Sequence, residues 1–146
     1  MTVLDANILI YAWNKDSPHH PTIRNWVEDL FSGEDRVGIP WVTVWAFLRL
    51  TTNPRVVPNP ITADQAFDIV DQWLASPNVV MLHPESRHAE ILRKLVVQSQ
   101  ATGPLLTDAV LAAIAIEQGA TLASTDQDFS RFNGLSWTNP LVNGKI

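Results

Sequence analysis

Four aspartates occupy positions from which carboxylate chemistry is possible. Asp5 lies between two apolar runs in MTVLDANILIYAW, Asp108 opens the apolar stretch DAVLAAIAIEQG, and Asp126 and Asp128 follow a third apolar run in ATLASTDQDF. Singly, each is explained more simply as a helix N-cap that accepts a backbone N–H bond. Jointly that explanation is weaker, because clustered carboxylates raise each other's pKa unless a cation neutralises them. Oxygen ligands at that density suit Mg²⁺ or Mn²⁺.

Composition limits what else the chain can be. With 146 residues and 46% hydrophobic content, it is expected to form one domain over residues 1–146 with a substantial core. It contains no cysteine. A disulfide framework, a thiolate metal site and a cysteine nucleophile are therefore excluded, and any metal must be held by oxygen or imidazole.

The chain carries no pattern that predicts a membrane or secretory role. It lacks a signal peptide and any run approaching the roughly 18 apolar residues of a membrane span, so a soluble, cytoplasmic protein without a membrane partner is expected. The net charge of −5 argues against a generally basic nucleic-acid-binding surface. It leaves open a local basic groove beside acidic residues.

The elements that must position these acids alternate between short strands and longer helices. Thr62 and Gln65 form a capping box that begins an amphipathic helix ending before Pro77, and a further amphipathic helix runs to Gly103-Pro104. A third, DAVLAAIAIEQG, is apolar almost all round and must be buried. The predicted strands are residues 2–4, 37–39, 79–82, 120–124 and 135–137.

This alternation predicts an α/β fold in three α/β/α layers, with a central, mainly parallel sheet of four to five short strands. In such sheets ligands bind beyond the carboxyl ends of the strands. The four aspartates fall at strand ends or helix starts. The sequence therefore places them at one edge of the sheet.

Three segments carry a resemblance to a known family. VLDANILIYAW, FLRLTTNPRV and LLTDAVLAAIAIEQGATLASTDQDFSRF together resemble PIN-domain ribonucleases, specifically the VapC-like toxins of type II toxin–antitoxin systems. The resemblance covers essentially the whole chain. It implies a PIN-like fold, Mg²⁺-dependent endoribonuclease activity giving 5′-phosphate and 3′-hydroxyl products, and neutralisation by a cognate VapB-like antitoxin.

The resemblance also assigns roles residue by residue. Asp5 is similar to the family's first metal-binding acid, Asp108 to its helix-start acid and Asp126 to the acid after the fourth strand. Asp128 resembles a more peripheral partner. All four are thus expected to be catalytic, with the first three as metal ligands.

One position departs from the family pattern. The family usually has a Glu just before the Phe-Leu-Arg-like segment, where this chain has Ala46 in VWAFLR. No acid occurs between Asp35 and Asp64, so a small shift of alignment cannot supply one. The loss favours one metal ion over two. It also supports an alternative function, a catalytically weakened PIN-like module that acts by binding RNA or protein.

Candidate contacts to substrate and partner are less specific. Arg49 and Arg55 flank LTTNP and are candidate phosphate ligands, although a solvated or ion-paired arginine explains each equally well. Trp41 and Trp45 share a helical face, for which core packing is the default and a homodimer or antitoxin interface the alternative. A homodimer is expected from the high tryptophan content. His19-His20 lack zinc-site spacing and are assigned to a loop and the start of a helix.

Other enzyme classes lack their essential residues here. A haloacid-dehalogenase-type phosphatase needs a second Asp at position 7, where this chain has Asn7. A response-regulator receiver needs an Asp after the middle strand, and VVMLHPE has none. No glycine-rich nucleotide loop, nucleophile elbow or zinc motif is present.

Overall fold

Five short parallel strands form the central layer of the fold in the computed structural model, which describes residues 1–142. Their order across the sheet is β3-β2-β1-β4-β5, and every neighbouring pair is parallel. All five predicted strands are confirmed, and the sheet is parallel throughout. The strands are β1 (Thr2–Leu4), β2 (Val37–Pro40), β3 (Val79–Leu82), β4 (Thr121–Ala123) and β5 (Ser136–Thr138).

Helices cover both faces of this sheet. Residues of α1 to α4 form one apolar core with it, and residues of α5 and α6 form a second core on the opposite face. The predicted three-layer arrangement is confirmed. The helices are α1 (Ala6–Trp13), α2 (His20–Ser32), α3 (Trp41–Thr51), α4 (Ala63–Ala75), α5 (His88–Ser99) and α6 (Pro104–Glu117), with a 3-10 helix at Gln127–Arg131.

Side-chain alternation along the strands connects the two cores. Val3 of β1 belongs to the core of α5 and α6, whereas the adjacent Leu4 belongs to the core of α1 to α4. Leu122 and Ala123 of β4 divide in the same way. Both central strands are therefore buried on both faces, which explains their continuous apolar sequence.

Helix α4 begins as its sequence predicts. The Thr62 side chain accepts the N–H of Gln65, and the Gln65 side chain accepts the N–H of Thr62. The amphipathic pattern predicts one apolar face that includes Phe67 and Leu74, but these two side chains are 50% and 46% exposed. The residues of this helix that are buried are Ala66, Val70 and Trp73.

Helix α6 is buried as predicted, but it begins at Pro104 instead of Asp108. Gly103 precedes it with φ 58°, and the following proline occupies the first turn, where its missing N–H costs nothing. The Gly-Pro pair thus starts this helix as well as separating it from α5. Asp108 lies in the second turn, so neither it nor Thr107 serves as the N-cap.

Trp41 and Trp45 are not core residues, so the default expectation was wrong for both. They lie on α3 with 38% and 64% of their surface exposed. They line an apolar groove of about 300 Å³. The other lining residues are Val42, Leu82, His83, Pro84, Val110 and Ile114.

Two smaller expectations also bear on the fold. His19 immediately precedes α2 and His20 is its first residue, which confirms their assignment to a loop and a helix start. Among residues 1–142, no helix combines the length and apolar character needed to cross a membrane.

The strand order creates one natural crevice. The chain moves from β1 outward through β2 to β3, then returns to add β4 and β5 on the other side of β1. Loops that leave neighbouring strands in opposite directions open a gap between them, and ligands of parallel α/β sheets bind there. Here the gap lies beyond the carboxyl ends of β1 and β4.

Candidate metal centre

Four carboxylates gather at this gap. Asp5 directly follows β1, and Asp126 and Asp128 lie in the segment after β4. Asp108 approaches from the second turn of α6. One oxygen each from Asp108, Asp126 and Asp128 lies within 4.8 Å of the other two. The edge predicted from sequence is therefore where the structure brings the aspartates together.

Asp5 is held by hydrogen bonds on both carboxylate oxygens. Its Oδ1 accepts the backbone N–H of Ala6 at 2.7 Å, which caps α1. Its Oδ2 accepts from Ser124 Oγ at 2.7 Å and from Asn7 Nδ2 at 3.1 Å. Burial raises the pKa of Asp5, and the hydrogen bond from Ser124 offsets part of that rise. Asp5 is thus both a helix cap and a fixed member of the acidic site.

Ser124 connects the two strands that carry the acids. It is fully buried, its hydroxyl donates to Asp5, and the same Oγ accepts from Asn7 Nδ2 at 3.0 Å and from the Asp126 N–H at 3.1 Å. Asn7 Oδ1 also accepts the N–H of Thr125 at 3.2 Å. One donor and two acceptor sites saturate the hydroxyl, so Asp5 is held in one orientation.

Asp108 responds to the surrounding negative charge. Burial, followed by the charges of Asp126, Asp5 and Asp128, raises the pKa of Asp108 to about 6, and the Arg131 guanidinium opposes the rise. A bound cation would reverse this effect by favouring the carboxylate form. The site therefore has the electrostatics of a cation site.

A small recess separates the first acid from the helix acid. It measures about 50 Å³ and is lined by Asp5, Asp108, Thr107 and Ala46, together with Val42, Thr43 and Leu111. A volume of that size holds a small cation with one or two waters, since a water occupies about 30 Å³. Carboxylate oxygens are the ligands that Mg²⁺ and Mn²⁺ prefer, so the residues present fit such an ion.

Asp126 and Asp128 define the solvent side of the site. Asp126 Oδ1 accepts the Asp128 N–H at 2.9 Å and so caps the 3-10 helix, as its sequence context allowed. The Asp128 side chain is 48% exposed, and its Oδ1 lies 3.8 Å from Arg131 Nη2. Asp128 is therefore within the acidic group but at its rim.

The sequence of the chain matches a known protein family. A family model described as "PIN domain" matches residues 2–135. The chain belongs to the PIN domain family. It is 41% identical to "Ribonuclease VapC37" of Mycobacterium tuberculosis over 96% of this chain and 97% of that protein, and 40% identical to "Ribonuclease VapC31" of the same species over 96% and 99%.

The fold agrees with solved structures of more distant proteins. A structure of "VapBC2 from Rickettsia felis bound to a DNA fragment from their promoter" has a TM-score of 0.69 at 19% identity. The match covers 94% of this chain and 97% of that one. At this identity the likeness concerns the fold alone, and it places this PIN domain among three-layer relatives.

Ala46 occupies an informative place in this PIN domain. It lies on α3 and lines the same recess as Asp5 and Asp108. A carboxylate introduced there would enter the recess. The acid missing from the sequence is therefore missing from the wall of the metal centre itself.

Arg49 and Arg55 do not line the recess. Both are exposed, Arg49 in the last turn of α3 and Arg55 in the segment that follows. Within residues 1–142 neither side chain takes part in an ion pair. The cation that acts on the aspartates is Arg131, which the sequence reasoning did not select. Its position three residues after Asp128 on a helical turn was the available signal.

Proposed function

We propose that the chain is a metal-dependent endoribonuclease of the VapC type, the toxin of a toxin–antitoxin pair. The observation that carries this proposal is the acidic cluster at the β1–β4 gap, in which Asp108 lies within 4.8 Å of Asp126 and Asp128 and also lines one recess with Asp5. It is supported by membership of the PIN domain family and by full-length relatives named ribonucleases. RNA as substrate would place its action in the cytoplasm.

In this proposal Asp5, Asp108 and Asp126 hold one Mg²⁺, with Asp128 at the rim, and Mn²⁺ is an alternative. When bound, such an ion supplies an activated water for in-line attack on phosphorus and neutralises charge on the phosphate oxygens. The products would be a 5′-phosphate and a 3′-hydroxyl. The small volume of the recess between Asp5 and Asp108, about 50 Å³, supports one ion rather than two.

The chain's own residues supply orientation and charge. Ser124 and Asn7 fix the Asp5 carboxylate, so its oxygens need no rearrangement when substrate arrives. Arg131 stands beside the rim carboxylate, where a guanidinium can donate to a non-bridging phosphate oxygen. Thr107 also lines the recess, and its hydroxyl makes no hydrogen bond to residues 1–142. It can donate to the substrate phosphate.

We infer two protein partners, a second copy of this chain and an antitoxin. The groove at Trp41 and Trp45 supports a homodimer interface, because large exposed aromatic side chains beside an apolar cavity are typical binding anchors. The acidic recess supports neutralisation by an antitoxin that places a basic or aromatic side chain near the aspartates.

Arg49 and Arg55 remain proposed substrate contacts, since both are exposed and free of ion pairs within residues 1–142.

Asp5→Asn tests the nuclease proposal directly. The variant keeps an oxygen for the α1 cap but removes a metal-binding charge, so RNA cleavage should fall by at least about a hundredfold. Toxicity in cells should disappear. The readout is Mg²⁺-dependent cleavage by the purified chain, with RNA 5′ ends mapped in cells that express each variant.

Asp71→Asn is the matched control, because Asp71 is an exposed acid on α4 and its loss changes the net charge equally. It should cleave at the wild-type rate. Wild-type cleavage by Asp5→Asn would remove that residue from the site. No cleavage by the wild-type chain with any divalent metal, together with retained RNA binding, would favour the alternative of a catalytically weakened binding module.

A further inference from the structure

The 3-10 helix after β4 presents three different rows of side chains. With three residues per turn, side chains at positions i and i+3 lie above one another. The residues therefore pair as Asp128 with Arg131, Phe129 with Phe132, and Gln127 with Ser130. The first pair faces the metal centre. The second is buried, with 1% and 3% of its surface exposed.

The third row faces a cavity that the nuclease proposal does not use. Gln127 and Ser130 line it together with Trp137, Asn139 and Val142, and its volume is about 350 Å³. Cavities of about 300 Å³ and above are large enough for small ligands. Because Gln127 lies between Asp126 and Asp128 in the chain, the cavity and the carboxylates are carried by adjacent residues of one short helix.

The aromatic wall of the cavity is fixed by a residue of the metal centre. Trp137 Nε1 donates to the backbone oxygen of Ser124 at 3.0 Å, while the Ser124 hydroxyl donates to Asp5. One buried residue thus sets the position of both an indole ring and a catalytic carboxylate. A ligand against Trp137 is held in a constant relation to the acids.

The chemistry of the lining suits an uncharged, aromatic group such as a base. None of its five residues is charged. Asn139 uses its Oδ1 to accept the Leu141 N–H at 3.0 Å, so it shapes the wall. The side chains of Gln127 and Ser130 make no hydrogen bond to residues 1–142, which leaves an amide and a hydroxyl available. Unpaired RNA bases are recognised by aromatic stacking combined with such donors and acceptors.

We propose that this cavity binds one unpaired base of the RNA, in the nucleotide next to the phosphodiester held at the carboxylates. The base lies against Trp137, and its edge is read by Gln127 and Ser130. The proposal rests on the nuclease function proposed above. In this proposal one row of the 3-10 helix borders the acidic site, and another row selects the base.

Binding is tested without catalysis, in metal-free buffer. The probes are the four 5′-mononucleotides and ribose 5-phosphate, titrated into the full ¹⁵N-labelled chain. The signal is the indole N–H resonance of Trp137, assigned by its loss in Trp137→Phe. At least one mononucleotide should shift it, and ribose 5-phosphate should not.

Gln127→Ala and Ser130→Ala carry the mutational test, because both side chains are exposed and their loss leaves the core intact. Each substitution should lower the affinity for the preferred mononucleotide by about threefold to tenfold. Gln72→Ala, which removes an exposed glutamine from α4, should leave binding unchanged. An equal response to ribose 5-phosphate, or no Trp137 response to any mononucleotide, would overturn the proposal.

Cleavage of a randomised single-stranded RNA, with sequencing of the new ends, separates this proposal from the nuclease function. The wild-type chain should prefer one base at a position beside the cut. Gln127→Ala should reduce the base preference at that position and at no other. An unchanged preference overturns the base site while the nuclease stands. A Trp137 response without any cleavage supports the base site while the nuclease proposal fails.

Discussion

Asp5 and Asp126 each serve two purposes. Asp5 Oδ1 caps α1 while its other oxygen is held by Ser124, and Asp126 Oδ1 caps the 3-10 helix while the same carboxylate joins the acidic group. The sequence presented capping and metal binding as competing explanations. The structure makes them compatible, because a carboxylate has two oxygens and a cap uses one.

Asp108→Asn should stabilise the metal-free fold at neutral pH. Burial and neighbouring acids raise the pKa of Asp108 to about 6, so its ionised form is unfavourable there. Since the group is partly exposed, screening reduces the gain to about 1 kcal/mol. The melting temperature at pH 7.5 should rise by about 2–4 °C.

Two further measurements make this prediction specific. Asp71→Asn should leave the melting temperature unchanged, because Asp71 is exposed on α4. Mn²⁺ should stabilise the wild-type chain and not Asp108→Asn, since ligand binding stabilises only a protein that binds it. A lower melting temperature for metal-free Asp108→Asn would show that the carboxylates do not repel one another.

The raised pKa of Asp108 also predicts that the stability of the fold depends on pH. The ordinary pKa of an Asp is 3.8, whereas that of Asp108 in the folded chain is about 6. Between these values the folded state binds a proton that the unfolded state has released, so this contribution to stability decreases as pH rises through the window. The melting-temperature difference between Asp108→Asn and wild type should be near zero at pH 4 and complete by pH 7. A difference that is constant with pH would contradict the prediction.

At the scale of elements, the sequence predicted what local patterns determine. All five strands and the capping box of α4 follow from apolar runs and from side-chain hydrogen bonds between near neighbours. The start of α6 was misplaced because Gly103-Pro104 was taken as the end of the preceding helix, whereas α5 already ends at Ser99 and the pair begins α6. The exposure of Trp41 and Trp45 was not predictable, since helical spacing shows that two side chains share a face and not what covers it. Ser124 and Asn7 were missed because their roles depend on contacts between distant segments.

Ala46→Glu tests whether α3 faces the metal. Ala46 lines the recess with Asp5 and Asp108, so a carboxylate there should reach the ion directly or through water. The Mg²⁺ concentration for half-maximal cleavage should fall by about threefold or more, without a comparable change in metal-free RNA affinity. Ala75→Glu, at the exposed end of α4, is the charge control and should change neither quantity.

Thermal melting separates two failures of this prediction. The recess is small, so an added side chain can clash with its walls and destabilise the fold. A melting temperature below that of the wild-type chain would indicate such a clash. A well-folded Ala46→Glu chain with an unchanged or higher Mg²⁺ requirement would show that position 46 does not serve the metal.

At the scale of the whole molecule, the site joins two separate cores. Asp5 begins a helix on one face of the sheet, whereas Asp108 belongs to a helix on the other. The groove at Trp41 and Trp45 shares Val42 with the metal recess. A protein bound in that groove therefore lies beside the recess that Asp5 and Asp108 line.

Trp45→Ser tests the proposed homodimer. Trp45 is 64% exposed beside an apolar groove, so its removal should weaken self-association by about tenfold or more while the monomer keeps its fold. Light scattering across micromolar concentrations measures the change. Phe67→Ser, which removes an exposed aromatic side chain from α4, should leave association intact. A wild-type chain that is monomeric throughout this range would contradict the dimer.

The hydrogen bond between Ser124 and Asp5 joins residues 119 positions apart in the chain. During synthesis, strands β1, β2 and β3 emerge first, yet β4 must insert beside β1 before that bond exists. Domains complete their fold only after the last required segment leaves the ribosome. A nascent copy therefore carries Asp5 but no assembled centre until β4 and the segment through Asp128 have left the ribosome and joined the sheet.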